Sequence, residues 1–272
     1  MGKFHANLDH VGVSFVWGLA VFVGLFASIK GSGGHINPAV TIALATLNKF
    51  PWRKVPHYLI SQYLGAFAAS GLLYLLYHDA IVMKVGDVRE LTGANGTADI
   101  WTTFLQPWVS VETAMFDQIL GTAILMFTVL AIVDPNNLKV PEPLVPLYAG
   151  LLVTSLVFGF AYNCMAPLNP ARDLGPRVFV AIAGWGSEAF SSRNGWIGIL
   201  GPHLGAILGG WVYYLSLENN RPAGEQPQRE ASAKISAVTD TINKLDNLFF
   251  FLISTQSYQG IKLVVLHHDW VK

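Results

Sequence analysis

Residues 35–40 read His35-Ile36-Asn37-Pro38-Ala39-Val40 and residues 167–172 read Pro167-Leu168-Asn169-Pro170-Ala171-Arg172, so Asn-Pro-Ala occurs twice, 132 positions apart. Each copy opens a short apolar segment, 38–48 and 170–182, flanked by longer apolar stretches. As helices these segments reach roughly 16–20 Å, about half the hydrocarbon thickness of a bilayer. Irregular backbone at that depth is tolerated only where it is buried in protein or lines an aqueous cavity. A single Asn-Pro-Ala is an ordinary loop motif. A matched pair, each opening a segment too short to span, implies a water-filled path.

The rest of the chain supplies the setting. Its 272 residues are 52% hydrophobic and 12% charged, with mean hydropathy +0.43, against about 25% charged residues in soluble domains. Five stretches are long enough to cross a bilayer as helices, at 11–29, 55–77, 114–133, 144–162 and 196–215. The first apolar run is too long for a signal-peptide core and has no small-residue cleavage site, so it is expected to span. Net charge is zero with no basic cluster, which gives no reason to expect a nucleic-acid partner. The lone cysteine, Cys164, excludes an internal disulfide and gives no support to a metal site; it reads as a small buried hydrophobe. No cofactor and no catalysis are called for.

The Asn-Pro-Ala offset extends to Gly18-Leu19 and Val21, which recur as Gly150-Leu151 and Val153. Beyond each motif Leu64-Gly65-Ala66 is echoed by Leu204-Gly205-Ala206. Two copies of a helix, re-entrant turn, helix unit result. Because a re-entrant segment returns to the side it left, the copies lie inverted, a plan that places a permeation path at their interface. The same offset puts the counterpart of helix 114–133 upstream of Met1, so the first spanning helix is expected to be absent and conduction by residues 1–272 alone to be weak. Placing Lys49, Arg53, Lys54 and Lys139 in the cytoplasm leaves loop 84–113 outside, where Asn95-Gly96-Thr97 forms a glycosylation sequon.

In each motif proline suits the first helical position, where its missing N–H is no loss, and asparagine suits the cap. Two half-helices entering from opposite faces bring their positive macrodipole ends together near the midplane, which repels cations and protons but not a neutral hydroxyl compound. The Asn37 and Asn169 amides then face a passing oxygen. Gly33-Gly34-His35 and Met165-Ala166-Pro167 are expected to run extended, offering their carbonyls as a ladder of acceptors.

These residues resemble the aquaporin family, and Leu168-Asn169-Pro170-Ala171-Arg172-Asp173-Leu174-Gly175-Pro176-Arg177 resembles its glycerol-conducting branch, the aquaglyceroporins. The resemblance covers roughly residues 11–217. It implies an all-α membrane protein, an aquaporin-like inverted repeat of five full helices and two half-helices. It implies a passive channel for glycerol and water, with urea a further candidate solute, in a homotetramer in the plasma membrane. Arg172 becomes the outer constriction arginine and Asp173 a marker of the branch; an intramembrane arginine is a functional hypothesis on physical grounds too. Trp17 becomes an aromatic wall facing Arg172, so that the pair forms a slot for one hydroxylated and one CH edge. Ala166 is small where an aromatic residue is often found. Val157 falls in the neighbourhood of a filter position, although the adjacent Phe158 and Phe160 are bulkier than a glycerol path favours. His35 supports the first turn, and Gln118 is expected to brace the second.

The channel domain is placed at 1–217 and a cytoplasmic tail at 218–272, with apolar residues from Ile235 to Leu252 at helical spacing. Three rivals stand beside the channel: a non-conducting truncated isoform that regulates complete channels, a secondary transporter, and a water-selective pore, which Asp173, Trp17 and Ala166 disfavour. A carrier would need an intramembrane carboxylate, for which Asp117 is the candidate.

Overall fold

The computed structural model describes residues 9–86, 88–93, 95–191 and 195–221. The chain divides into two units, Met1–Ser216 and Leu217–Lys272. The apolar tail pattern from Ile235 to Leu252 lies outside the described residues.

Among its described residues the regular elements of unit 1 are helices, with α-helices in the order α1 His10–Ser32, α2 Pro38–Thr46, α3 Val55–Val85, α4 Val111–Val133, α5 Val145–Cys164, α6 Pro170–Val180, α7 Glu188–Ser191 and α8 Ile197–Tyr213. Among the described residues four segments, carrying α1, α3, α4 and α5, are long and apolar enough to cross a membrane. The fifth expected span is α8, whose 17 residues run directly into a π-helical turn at Tyr214–Glu218. Helix α3 outruns its expected end at residue 77 by eight residues. His78, Asp79 and Lys84 are polar but each still adds a backbone bond, and the helix stops only at Gly86, whose φ of 68° suits glycine.

The half-helices form as the sequence dictates. Proline occupies the first turn of both α2 and α6, and each asparagine caps its helix: Asn37 Oδ1 accepts from Ala39 N at 2.9 Å, Asn169 Oδ1 from Ala171 N at 3.0 Å and Arg172 N at 3.3 Å. At 9 and 11 residues they are roughly 14 and 17 Å long.

Packing follows the inverted repeat. Helix α1 lies against its repeat counterpart α5, α2 against α6, and the pairs α3–α6 and α8–α2 are equivalent crossings. Gly18 and Gly150, matched by the repeat, meet each other: a Cβ on Gly18 would lie 2.5 Å from Gly150 O, and one on Gly150 2.8 Å from Gly18 O. Helix α4 packs most closely on α8, where a Cβ at Gly205 would lie 2.3 Å from Ile119 O and one at Gly209 2.0 Å from Ala123 O. Such backbone approach is what small residues permit between membrane helices. The equivalent face of α3 differs, since a Cβ at Gly65 would meet no atom within 4 Å.

Candidate functional site

The left-handed backbone before each half-helix corrects the expectation of extended strands. Gly33 and Gly34 have φ of 75° and 72°, while Met165, Ala166 and Leu168 take 61°, 47° and 49°. Glycine adopts this region freely; for the other three it costs about 1–3 kcal/mol each. The second turn is braced against that strain, because Gln118 Oε1 on α4 accepts from Leu168 N at 3.2 Å and Gln118 is fully buried.

Two amides sit where the half-helices meet. Asn37 Nδ2 donates to Leu168 O at 3.0 Å and Asn169 Nδ2 to Ile36 O at 2.9 Å, each reaching the residue just before the other's cap. One amide hydrogen of each asparagine thus ties the two turns together, and the second is left for an acceptor in the path. The sequence led us to expect only the second role.

A single cavity of about 470 Å³ runs past both motifs. It takes in Gly33, Gly34, His35 and Asn37 from the first turn, Met165, Ala166, Pro167 and Asn169 from the second, and Trp17, Val157 and Arg172. The remaining wall is apolar, with residues such as Val21, Leu25, Val129 and Val153. The carbonyl ladder is asymmetric. Gly34 O accepts from Ile36 N, and His35 O accepts from Gln62 Nε2. The Met165, Ala166 and Pro167 carbonyls have no protein donor among the described residues.

Arg172 Nη1 donates to Trp101 O at 3.1 Å, and its guanidinium carbon lies 4.3 Å from the centre of the Trp17 ring. The pair is in stacking contact rather than facing across an open slot, so a solute runs beside it. Val157 and Ala166 are both buried in one apolar cluster that Trp17 joins. Phe158 is turned outward and its ring stacks on His10, and Phe160 packs beside Gly121; neither lines the cavity.

Asp173 does not face the path. Its carboxylate is fully buried and accepts from Thr102 Oγ1 at 2.9 Å, Thr103 Oγ1 at 2.5 Å, Thr103 N at 3.1 Å and the Arg177 guanidinium at 2.9–3.1 Å. Arg177, which sequence reasoning assigned no role, is 1% exposed and donates further to Thr103 O and Ala189 O. The available signal was its place four residues after Asp173 in an apolar setting, where an unpaired charge is untenable. Asp117 is likewise sequestered, accepting from Gln118 Nε2 at 2.7 Å and Asn163 Nδ2 at 2.9 Å, away from the cavity. Cys164 is buried beside Leu105, Ala114 and Ile197, as a small hydrophobe would be. Asn95 is exposed in a turn.

Residues 3–213 match the family of the major intrinsic protein. The chain belongs to that family. It is 38% identical over 263 residues to Aquaporin-3 of Milnesium tardigradum, covering 96% of this chain and 78% of that protein. It is 41% identical over 214 residues to human Aquaporin-10, covering 78% of this chain and 71% of that protein. Among solved structures, the aquaglyceroporin from Plasmodium falciparum superposes with a TM-score of 0.69 at 33% identity, over 75% of this chain and 81% of that one. Membership makes the chain a multi-pass membrane protein of a family of channels.

Proposed function

We infer that the chain is a passive transmembrane channel for glycerol, water and other small neutral solutes. The observation that carries this is the reciprocal Asn37–Leu168 and Asn169–Ile36 bonding at the meeting point of two opposed half-helices, beside one continuous cavity. Both helix N-termini present about half a positive charge there, which together with Arg172 disfavours cations. A glycerol hydroxyl accepts from the spare amide hydrogens and donates to the Met165–Pro167 carbonyls, while its CH edge rests on the apolar wall. Those bonds offset the several kcal/mol that stripping water from polar groups otherwise costs. The relatives named as aquaporins and aquaglyceroporin support the same reading.

The non-conducting regulatory isoform, and with it the expectation that residues 1–272 conduct weakly, is not favoured, because both turns, the amide pair and the cavity assemble within this one chain. The carrier reading loses its candidate carboxylate with the burial of Asp117. We further propose that the four cavity groups Trp17, Val157, Ala166 and Arg172 form the selectivity filter, that the protein is a homotetramer with one path per subunit, and that it resides in the plasma membrane. Radiolabelled glycerol uptake into expressing cells tests the function: uptake is expected to rise linearly with concentration and to ignore sodium and pH gradients. Saturable, ion-dependent uptake would identify a carrier instead.

A further inference from the structure

The buried Asp173–Arg177 pair stands apart from the path, yet it grips the segment that supplies a partner to Arg172. Trp101 is fixed on one side by its indole Nε1, which donates to Ser70 O on α3 at 3.2 Å. Immediately after it, Thr102 Oγ1 donates to both the backbone carbonyl and the carboxylate of Asp173, at 3.1 and 2.9 Å. Thr103 gives its N–H and hydroxyl to the same carboxylate oxygen, and its carbonyl accepts from Arg177 Nη2 at 2.7 Å. The Trp101 carbonyl therefore projects from a backbone held on both flanks, and it is this oxygen that accepts from Arg172. Arg177 is itself fixed by Ala189 O and by the Phe104 ring, 5.3 Å from its guanidinium carbon.

Resting on the channel reading above, we propose that Asp173 and Arg177 are positioning residues of the filter: by clamping Thr102 and Thr103 they aim the Trp101 carbonyl at Arg172, hold its guanidinium on Trp17, and so set the ratio of glycerol to water permeation. Asp173 and Arg172 are neighbours on one half-helix, and while Arg172 donates to the Trp101 carbonyl, Asp173 holds Thr102 and Thr103 next to it. One carboxylate thereby couples the outer loop to the pore without touching solute. A guanidinium released from Trp101 O has four carbon–carbon and carbon–nitrogen torsions through which to leave the ring, so the geometry of the outer constriction depends on a pair that never meets the permeant.

The test uses Thr102→Val and Thr103→Val, which delete one hydroxyl each at nearly constant volume, alongside Asp173→Asn and Arg177→Lys. Glycerol and water permeabilities are measured on the same proteoliposomes and read as a ratio, which does not depend on how many channels are inserted. The threonine variants are expected to change that ratio by about threefold or more, with a smaller change when the same substitution is made in an Arg172→Ala background, since coupled residues are non-additive. A ratio equal to wild type, with both fluxes falling together, would make the clamp a purely structural element and overturn the proposal. A second readout is independent of conduction: phenylglyoxal labelling of Arg172, followed by mass spectrometry of the whole chain in detergent. Labelling is expected to rise several-fold in the threonine variants as Arg172 leaves its partners; unchanged labelling overturns the proposal. Failure of the wild type to pass glycerol would refute the channel reading while leaving the labelling result to decide the clamp.

Discussion

The guanidinium carbon of Arg172 lies 4.3 Å from the centre of the Trp17 ring, on a helix from the opposite repeat. A carbon skeleton inserted between two walls needs roughly 7–8 Å, two contact distances of 3.5–4.0 Å, so the solute passes beside this pair. The ring and the Trp101 carbonyl together hold the cation at the edge of the cavity. Arg172→Ala removes that charge and widens the constriction. Larger polyols and monovalent cations are expected to cross more readily, measured by polyol reswelling and cation flux in liposomes. Unaltered selectivity would contradict the role given to Arg172.

At the centre of the path, Asn169→Asp separates two functions of one side chain. The carboxylate keeps the cap acceptor for Ala171 N and Arg172 N but loses the donor to Ile36 O, and its charge cancels the positive helix ends. Neutral-solute flux is expected to fall and cation leak to appear in the same vesicles. Asn37→Ala, by contrast, loses the cap as well, at a cost of about 1 kcal/mol in stability, read as a lower melting temperature in detergent.

Glycine substitutions distinguish packed from open helix faces. An alanine at 209 places its Cβ 2.0 Å from Ala123 O and one at 205 places it 2.3 Å from Ile119 O, whereas at 65 it meets nothing. Gly209→Ala and Gly205→Ala are expected to destabilise the protein by about 1–3 kcal/mol through overpacking. Gly65→Ala is expected to be neutral or stabilising by up to about 1 kcal/mol, because alanine is the better helix former. Equal losses at all three positions in thermal unfolding would contradict the α4–α8 packing described above.

Much of this was legible in the residues. The doubled Asn-Pro-Ala marked both half-helices, since proline suits the first helical position and asparagine the cap, and the 132-residue offset paired Gly18 with Gly150 as repeat equivalents, whose contact only the structure shows. The left-handed backbone at Met165, Ala166 and Leu168 was not legible, because no glycine marks it; only the brace from Gln118, 50 positions earlier, makes it tenable. Nor was the clamp, because Asp173 in a first turn already has a local reason to be there through the helix dipole. Its partners Thr102 and Thr103 lie in a loop whose position depends on the tertiary fold. Phe158 and Phe160 misled for a related reason: one residue along a helix turns a side chain by about 100°, and only Val157 of that run reaches the cavity.

The outer loop offers a check on orientation. Asn95 is exposed, while the Thr97 hydroxyl of the same sequon is buried and accepts from Trp185 Nε1 at 2.9 Å. Modification of Asn95 is therefore expected before this loop packs. Expression in a eukaryotic cell is expected to yield a glycosidase-sensitive mobility shift that Asn95→Gln abolishes. The absence of any shift would contradict the placement of loop 84–113 outside the cell.

Passage of neutral solutes between the two asparagines of this one chain is measurable by stopped-flow light scattering of proteoliposomes carrying residues 1–272. Under imposed water and glycerol gradients the vesicles are expected to swell and shrink faster than protein-free liposomes, and Asn169→Asp is expected to abolish most of the glycerol component. Rates equal to those of protein-free liposomes, or a glycerol rate indifferent to Asn169→Asp, would mean that solutes do not cross between Asn37 and Asn169.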